Sequence, residues 1–467
     1  MHRTLLPLAL VLSVALAGCA TRAERYQRPA VDTPARWSGS TATDTWPDRN
    51  WWSVFGSPEL DALIVEVQAA NHDIRAAAAR VEQARANAGI AAAGLYPLLT
   101  LGLDAQRSRD PGKRAASSYA LAPQASYEID LWGRRHDAAR AGDAALLASG
   151  FDRETVRLGL TADLANTYFQ LLSLNDRLRV AEENLTVAKR LLDLLTVQQQ
   201  AGRASTLELE RQRSLVASTE SAIPPLRQQR VVTRDTLAVL LGRPLNKTPD
   251  PQGSLRGLTP PAARGGVPAQ LVERRPDIRR AEADLMAANA NVGAARGAVL
   301  PNLTLVAHGG TQAGTAAALF GSGTGFYAFA AALVGTIFDG GERRARVDLA
   351  QAQRQERVEL YLQTVVSSFR DIEDALAGIE QFATQEGQLV AAAKSAREAF
   401  RIVELRYRTG ADSYLNVLDA QRALLAAESA VDQARLARFT AVTGLYRALG
   451  GGWDGQPGTT LAQADRR

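Results

Sequence analysis

The 467-residue sequence has one cysteine and four histidines. That is too few ligands for a zinc site or a cysteine–histidine framework, and His72, His136 and His308 stand isolated, as structural histidines do. Aromatic residues make up 6% against a hydrophobic share of 46%, so alanine and leucine dominate, a mixture suited to long helices rather than a β-rich globule. No Lys/Arg run exceeds three residues, although the net charge is +5. With Arg and Glu interspersed, the basic balance describes a solvated helix surface rather than a nucleic-acid or acidic-lipid patch. No nucleophile–base pair, phosphate loop or metal-ligand spacing occurs. GSGTGF (321–326) has the glycines but no Lys-Ser/Thr, and it falls between strand patterns, so it reads as a loop. Nothing supports an enzyme, a cofactor or a resident metal.

Proline is absent between Pro123 and Pro224 and again between Pro301 and Pro457. Within these gaps, residues 134–200 and 342–408 carry helical patterning with no turn signal. At about 1.5 Å per residue each helix would span about 100 Å, where globular helices average about 11–12 residues.

The chain is duplicated. NHDIRAAAARVEQARANAGIAAAGLYPLLTLGL (71–103) aligns with RPDIRRAEADLMAANANVGAARGAVLPNLTLVA (275–307), and EIDLWGRR (128–135) with TIFDGGERR (336–344). VQQQAGRASTLELERQR (197–213) returns as RYRTGADSYLNVLDAQR, with Gly202 matching Gly410 and Ser205 matching Ser413. This is one large unit copied, not a solenoid of short repeats. Each half begins with a helix (60–95 or 275–300) and then switches to a period of two. Leu99, Leu101, Leu103 and Ala105 alternate with Thr100, Gly102, Asp104 and Gln106. The pattern predicts two strands per half, within 97–131 and 301–338. The long helix follows, then a turn (201–204 or 409–411) and a shorter returning helix (204–242 or 412–449). The two short helices of a half, placed end to end, nearly match its long helix. Each half is thus expected to be a rod with strands at one tip and a helical turn at the other.

The first residues, MHRTLLPLALVLSVALAGCA, form a signal peptide: Arg3 supplies the positive region, Leu5 to Leu16 the apolar core, Ala17-Gly18 the cleavage site. The apolar run is shorter than the roughly 20 residues a span needs. Leu16-Ala17-Gly18-Cys19 resembles a bacterial lipobox, which implies cleavage before Cys19 and acylation of its sulfur and new amino group. Ala20, rather than Asp, follows it, which implies sorting to the outer membrane. Two or more acyl chains make anchoring stable. A plain signal peptide is the alternative.

The strands alternate as membrane-barrel strands do. Four strands cannot close a barrel, and open edges in lipid leave backbone groups unpaired at several kcal/mol each. In lipid the chain must therefore be a homo-oligomer; a soluble dumbbell with a four-stranded sheet is the competing arrangement. In the helix after Gly410, Val417, Ala420, Leu424, Ala427 and Val431 form a packing seam. Leu415, Asp419, Arg422, Ala426 and Ser429 form a second stripe about 200° around the helix, facing water. At the position of Asp419 the first copy has Arg211, reversing the charge. Gly202 and Gly410 permit the positive φ a helix end requires, and Ser205 and Asp412 are the expected N-caps.

WWSVFGSPELDALIVEV (51–67), ERRPDIRRAE (273–282), YRTGADSYLNVLDAQRALLAAE (407–428) and GLYRALGGGW (444–453) resemble the TolC/OprM-type outer-membrane efflux family, specifically its lipoprotein branch. The resemblance spans nearly the whole chain in order. It implies a mainly α fold with membrane β: a trimer whose four strands per chain make a 12-stranded outer-membrane β-barrel, continuous with a long periplasmic α-helical barrel and a mixed equatorial region. It implies an exit duct for drugs or other small toxic compounds. The partners would be a periplasmic adaptor and an inner-membrane resistance-nodulation-division pump. Leu415, Asp419 and Arg422 would form the periplasmic gate, with Arg211 a candidate partner. The tips at Gly202, Arg203, Ser205, Arg408, Gly410 and Asp412 would dock the adaptor. The expected organisation is signal peptide 1–18, acylated equatorial segment 19–59, first repeat 60–242, equatorial linker 243–274, second repeat 275–450 and tail 451–467. A protein-secretion channel and a soluble coiled-coil scaffold remain alternatives. Two Met and four His give no support to a metal-ion relay.

Overall fold

The computed structural model describes residues 26–34, 36–37, 46–112, 114–261 and 268–453. The signal peptide, Cys19 and the tail beyond Trp453 lie outside the described residues. After a 3₁₀ turn at Trp51–Phe55 come helices α1 (Pro58–Ala70) and α2 (His72–Ala93), strands β1 (Leu98–Ser108) and β2 (Ala116–Ile129), and α3 (Arg134–Gln200). Helices α4 (Thr206–Ser221) and α5 (Ile223–Leu241) complete the first half. The second half has α6 (Pro268–Arg274), α7 (Pro276–Gly297), β3 (Asn302–Ala313), β4 (Gly325–Val334), α8 (Glu342–Arg408) and α9 (Tyr414–Ala448). The two long helices thus cover 67 residues each, which the absence of proline permits.

Two helices expected to be continuous are broken. The helix read over 60–95 is α1 and α2, separated at Asn71. The Asn71 amide oxygen accepts from the N–H groups of Asp73 (2.7 Å) and Ile74 (3.1 Å), and its Nδ2 donates to the Leu240 carbonyl at 2.7 Å. Asn71 therefore caps α2 while tying it to α5. The helix read over 204–242 breaks at Ala222. Pro224 and Pro225 follow at once, and proline, without an N–H, is tolerated only in a helix's first turn.

The chain forms two compact units. One contains Ala79–Gly150 and Arg280–Gln363 with the chain up to Ala30; the other contains Val31–Ala78, Phe151–Arg279 and the chain from Thr364. The described part of the N-terminal segment reaches both units. Arg28 makes a two-pronged ion pair with Glu282 of α7 in the first unit, at 2.7 and 3.0 Å. Trp37, Trp51, Trp52 and Phe55 are buried in the second.

In the first unit the four strands are antiparallel in the order β1-β2-β3-β4, leaving β1 and β4 as edges. Register gathers the alternate apolar residues on one face. Leu99 lies opposite Ala125, which lies opposite Ala307, which lies opposite Phe329; Leu103 lies opposite Leu121. The other face carries Thr100, Gln124 and His308 in one row. Leu99, Leu101, Leu103, Tyr327, Phe329 and Leu333 are exposed in the single chain. The corner after β2 is locked by charge. Glu128 accepts from Arg134 and Arg135 at 2.5 and 2.7 Å. Asp130 holds the backbone N–H and Nδ1 of His136 at 2.9 and 2.7 Å. Trp132 donates its indole N–H to the Pro301 carbonyl at 2.6 Å.

In the second unit the core joins Trp51, Trp52 and Phe55 to Leu60, Ile64, Phe169, Leu237, Phe439 and Leu255 of the linker. Fully burying one such side chain is worth about 1.5–3 kcal/mol. Carboxylates pin the linker. Asp176 of α3 accepts from Ser254 Oγ (2.7 Å) and the Leu255 N–H (2.9 Å), and Asp432 of α9 pairs with both prongs of Arg256 at 2.8 and 3.0 Å. At the start of α7 burial would raise the Asp277 carboxyl, yet hydrogen bonding and charge from Arg275 more than offset this and hold it below its ordinary range.

Candidate gate and docking tips

Both turns of the second unit close in one way. At the end of α3, the Arg203 N–H donates to the Gln198 carbonyl (2.8 Å) and the Gly202 N–H to that of Gln199 (3.0 Å). At the end of α8, the Ala411 N–H donates to Arg406 (2.8 Å) and the Gly410 N–H to Tyr407 (3.0 Å). This is the Schellman pattern, and Gly202 (φ 70°) and Gly410 (φ 76°) adopt the left-handed conformation it needs. Ser205 caps α4 in a full capping box: its Oγ accepts from the Glu208 N–H at 3.2 Å, and Glu208 accepts from the Ser205 N–H at 2.7 Å.

The second tip departs from expectation. The N-cap of α9 is Ser413, not Asp412, and its side chain makes no capping bond. Asp412 accepts instead from Asn416 Nδ2 (2.6 Å) and the Ser413 N–H (2.9 Å), with Arg406 at 3.4 Å. These hydrogen bonds, Asn416's first, hold the Asp412 carboxyl below its usual range. Arg203 and Arg408 are exposed at the tips, and Arg408 pairs back to Glu404 at 2.6 Å.

The seam on α9 is wider than its spacing suggested. Val417 and Leu424 are buried, and so are Tyr414, Leu418 and Gln421 beside them. The Tyr414 hydroxyl donates to Gln212 Oε1 (2.5 Å), and Gln212 Nε2 donates to the Ala188 carbonyl (2.8 Å). The Tyr407 hydroxyl donates to Gln198 Oε1 (2.8 Å), and the two tyrosine rings meet edge-to-face at 6.0 Å. Burial raises the Tyr414 phenol and keeps it a neutral donor. These residues bind the two helical hairpins together, and the sequence reading missed them. The available signal was a tyrosine just before one turn and another just after it.

The opposite stripe is open. Leu415 is 47% exposed, Asp419, Arg422 and Ala426 are exposed, and Ser429 is half-buried. The i,i+3 Asp419–Arg422 pair is not made. Among the described residues, no hydrogen bond or ion pair engages Asp419, Arg422 or Arg211. Leu207, the counterpart of Leu415, is exposed as well. The candidate gate is thus a row of side chains without hydrogen-bond or ion-pair partners among the described residues.

One unit thus holds a four-stranded sheet, apolar on one face and open at both edges, and the other holds the two matched helical turns. The profile of the outer membrane efflux protein family matches residues 63–243 and 267–451, one stretch for each half, and this chain belongs to that family. It is 40% identical to the pyoverdine export outer membrane protein OpmQ of Pseudomonas putida, over 97% of each chain. It is 32% identical to the cation efflux system protein CusC of Escherichia coli, over 96% of this chain and 98% of that one. Among solved structures, the outer-membrane channel OprN superposes with a TM-score of 0.88 at 28% identity, covering 93% and 99% of the two chains. The open state of the Neisseria gonorrhoeae MtrE channel gives 0.82 at 31% identity, covering 92% and 98%. The protein is an outer-membrane efflux channel with the duplicated fold of that family.

Proposed function

We propose that three copies of this chain form the exit duct of a tripartite efflux pump. A periplasmic adaptor would bind it, and an inner-membrane resistance-nodulation-division pump would deliver the cargo and supply the energy. The carrying observation is the open sheet: β1 and β4 are unpaired edges of a four-stranded sheet with one apolar face. Lipid does not tolerate such edges. Three copies joined β4 to β1 make twelve strands and close the wall. The duct does no chemistry and uses no cofactor or metal.

In this trimer three copies of Leu415, Asp419 and Arg422 line the narrowing lumen as a periplasmic gate. An apolar ring and a ring of charge restrict ion passage there. That Asp419 and Arg211 have no hydrogen-bond or ion-pair partner among the described residues supports pairing between neighbouring hairpins in the closed state. The tips, Gly202, Arg203 and Ser205 on one hairpin and Arg408, Gly410 and Asp412 on the other, dock the adaptor. A cysteine at Arg203 or Arg408 is expected to cross-link to a co-expressed adaptor, while one at Val232 is not. Intact trimers giving no tip-specific adduct would remove the docking assignment and the tripartite reading with it.

Cys19 is the acylation site that anchors the mature chain to the outer membrane. Radiolabelled palmitate should enter the wild type and be lost in Cys19→Ser; label persisting in the variant would exclude it. The cargo is a small compound. Pyoverdine export proteins match at higher identity than the cation efflux protein, which favours a secreted siderophore-like compound over a metal ion.

A further inference from the structure

In the second unit a groove of about 470 Å³ opens where α4 gives way to α5, against α3 and α9. Its cause is local. The prolines after Ala222 interrupt the helix while α3 continues unbroken alongside. The floor is apolar, with Val180, Leu215, Leu226 and Leu425. Ser429, the last residue of the exposed stripe on α9, stands on the rim. The volume falls within the roughly 300–1,000 Å³ of small-molecule sites.

Arg177 also lines the groove, and it is half-buried. Other arginines of α3 and α5, outside the groove, are engaged: Arg179 with Asp176 and Glu183, Arg227 with Glu182, Arg230 with Asn175 and Asp250. Asp176, next in sequence, is taken by Ser254 and the Leu255 N–H. Among the described residues, no hydrogen bond or ion pair engages Arg177. A half-buried guanidinium without a counter-ion, beside an apolar hollow, lacks an anion.

We infer that this groove binds organic anions with an apolar body, its floor taking the ring system and Arg177 the carboxylate or sulfonate. The inference rests on the duct reading only for the route by which such compounds arrive.

The test uses the full-length trimer in nanodiscs, with empty nanodiscs as the blank. Two fluorescent probes are titrated: the anionic anilinonaphthalene sulfonate and the uncharged phenylnaphthylamine. Saturable binding of both is expected. Arg177→Gln should weaken the anionic probe about tenfold, as loss of a charge-assisted hydrogen bond does, and leave the uncharged probe unchanged. Arg177→Lys should restore part of the loss. Ser218→Trp, at an exposed position on the rim, should remove both probes by filling the groove. Equal binding by wild type and Arg177→Gln, or equal losses for both probes, would overturn the proposal. Dissociation of the Ser218→Trp trimer would mark the groove as a subunit seat and also overturn it. Conductance is recorded in parallel. A conducting trimer that binds neither probe defeats the site alone, and a binding trimer that never conducts defeats the duct alone.

Discussion

Asp419→Ala is expected to raise the time-averaged conductance of the reconstituted trimer about tenfold in planar bilayers. In the single chain Asp419 is exposed and makes no hydrogen bond or ion pair among the described residues. Arg211, at the matching place on the other hairpin, is exposed and unpaired in the same sense. If each Asp419 meets an Arg211 when the duct is closed, three exposed pairs at roughly 0.5 kcal/mol each hold it shut by roughly 1.5 kcal/mol, which is about a tenfold change in the open population. The sign separates two mechanisms. A ring of three unpaired carboxylates would repel itself, so its removal would tighten the gate. A broken pair loosens it. Arg211→Ala should therefore act in the same direction, and the double variant should do less than the two effects combined. Unchanged conductance with intact trimers would sink the gate assignment, and full additivity would sink the pairing.

Gly310→Val is expected to abolish the heat-modifiable trimer in outer-membrane fractions. Gly310 lies on β3 beside Ala122 and Pro123 of β2, and those two residues are missing from the β2–β3 ladder. Pro123 has no N–H to donate. There the strands come so close that a Cβ on Gly310 would collide with the Leu121 carbonyl oxygen and the Ala122 Cα. Both are backbone atoms and cannot swing aside. The cost exceeds the roughly 1–3 kcal/mol of ordinary overpacking, where side chains yield. Gly314→Ala is the control, because a Cβ there meets nothing nearer than the Ser117 carbonyl at 3.8 Å, and its trimer should persist. Normal trimers in Gly310→Val would show that the sheet can shift at this point.

The long helices, the tip glycines and the alternating strands could be read from the chain because their causes are local. A proline-free stretch propagates a helix, a glycine ends it, and a period of two commits residues to two faces. Duplication then supplied each reading twice. The sites of interruption were another matter. Asn71 breaks a helix because its side chain caps the next one and reaches Leu240, 169 residues away. Ser413 displaces Asp412 as the cap of α9, since Asp412 is drawn to Asn416 and Arg406.

What the sequence by itself determined is the long helices, the four strands and the tip turns, their order and their apolar and polar faces, each encoded within a turn or two of chain, and, from the whole chain, the family. Only the tertiary structure decided which side chains meet. Tyr414 finds Gln212 across 202 positions, Gly310 touches the backbone of β2, and Arg177 has no partner among the described residues beside an apolar groove. Such contacts depend on register and on the angle at which helices pass, to within about an ångström. No periodicity in one strand or helix carries that information about another.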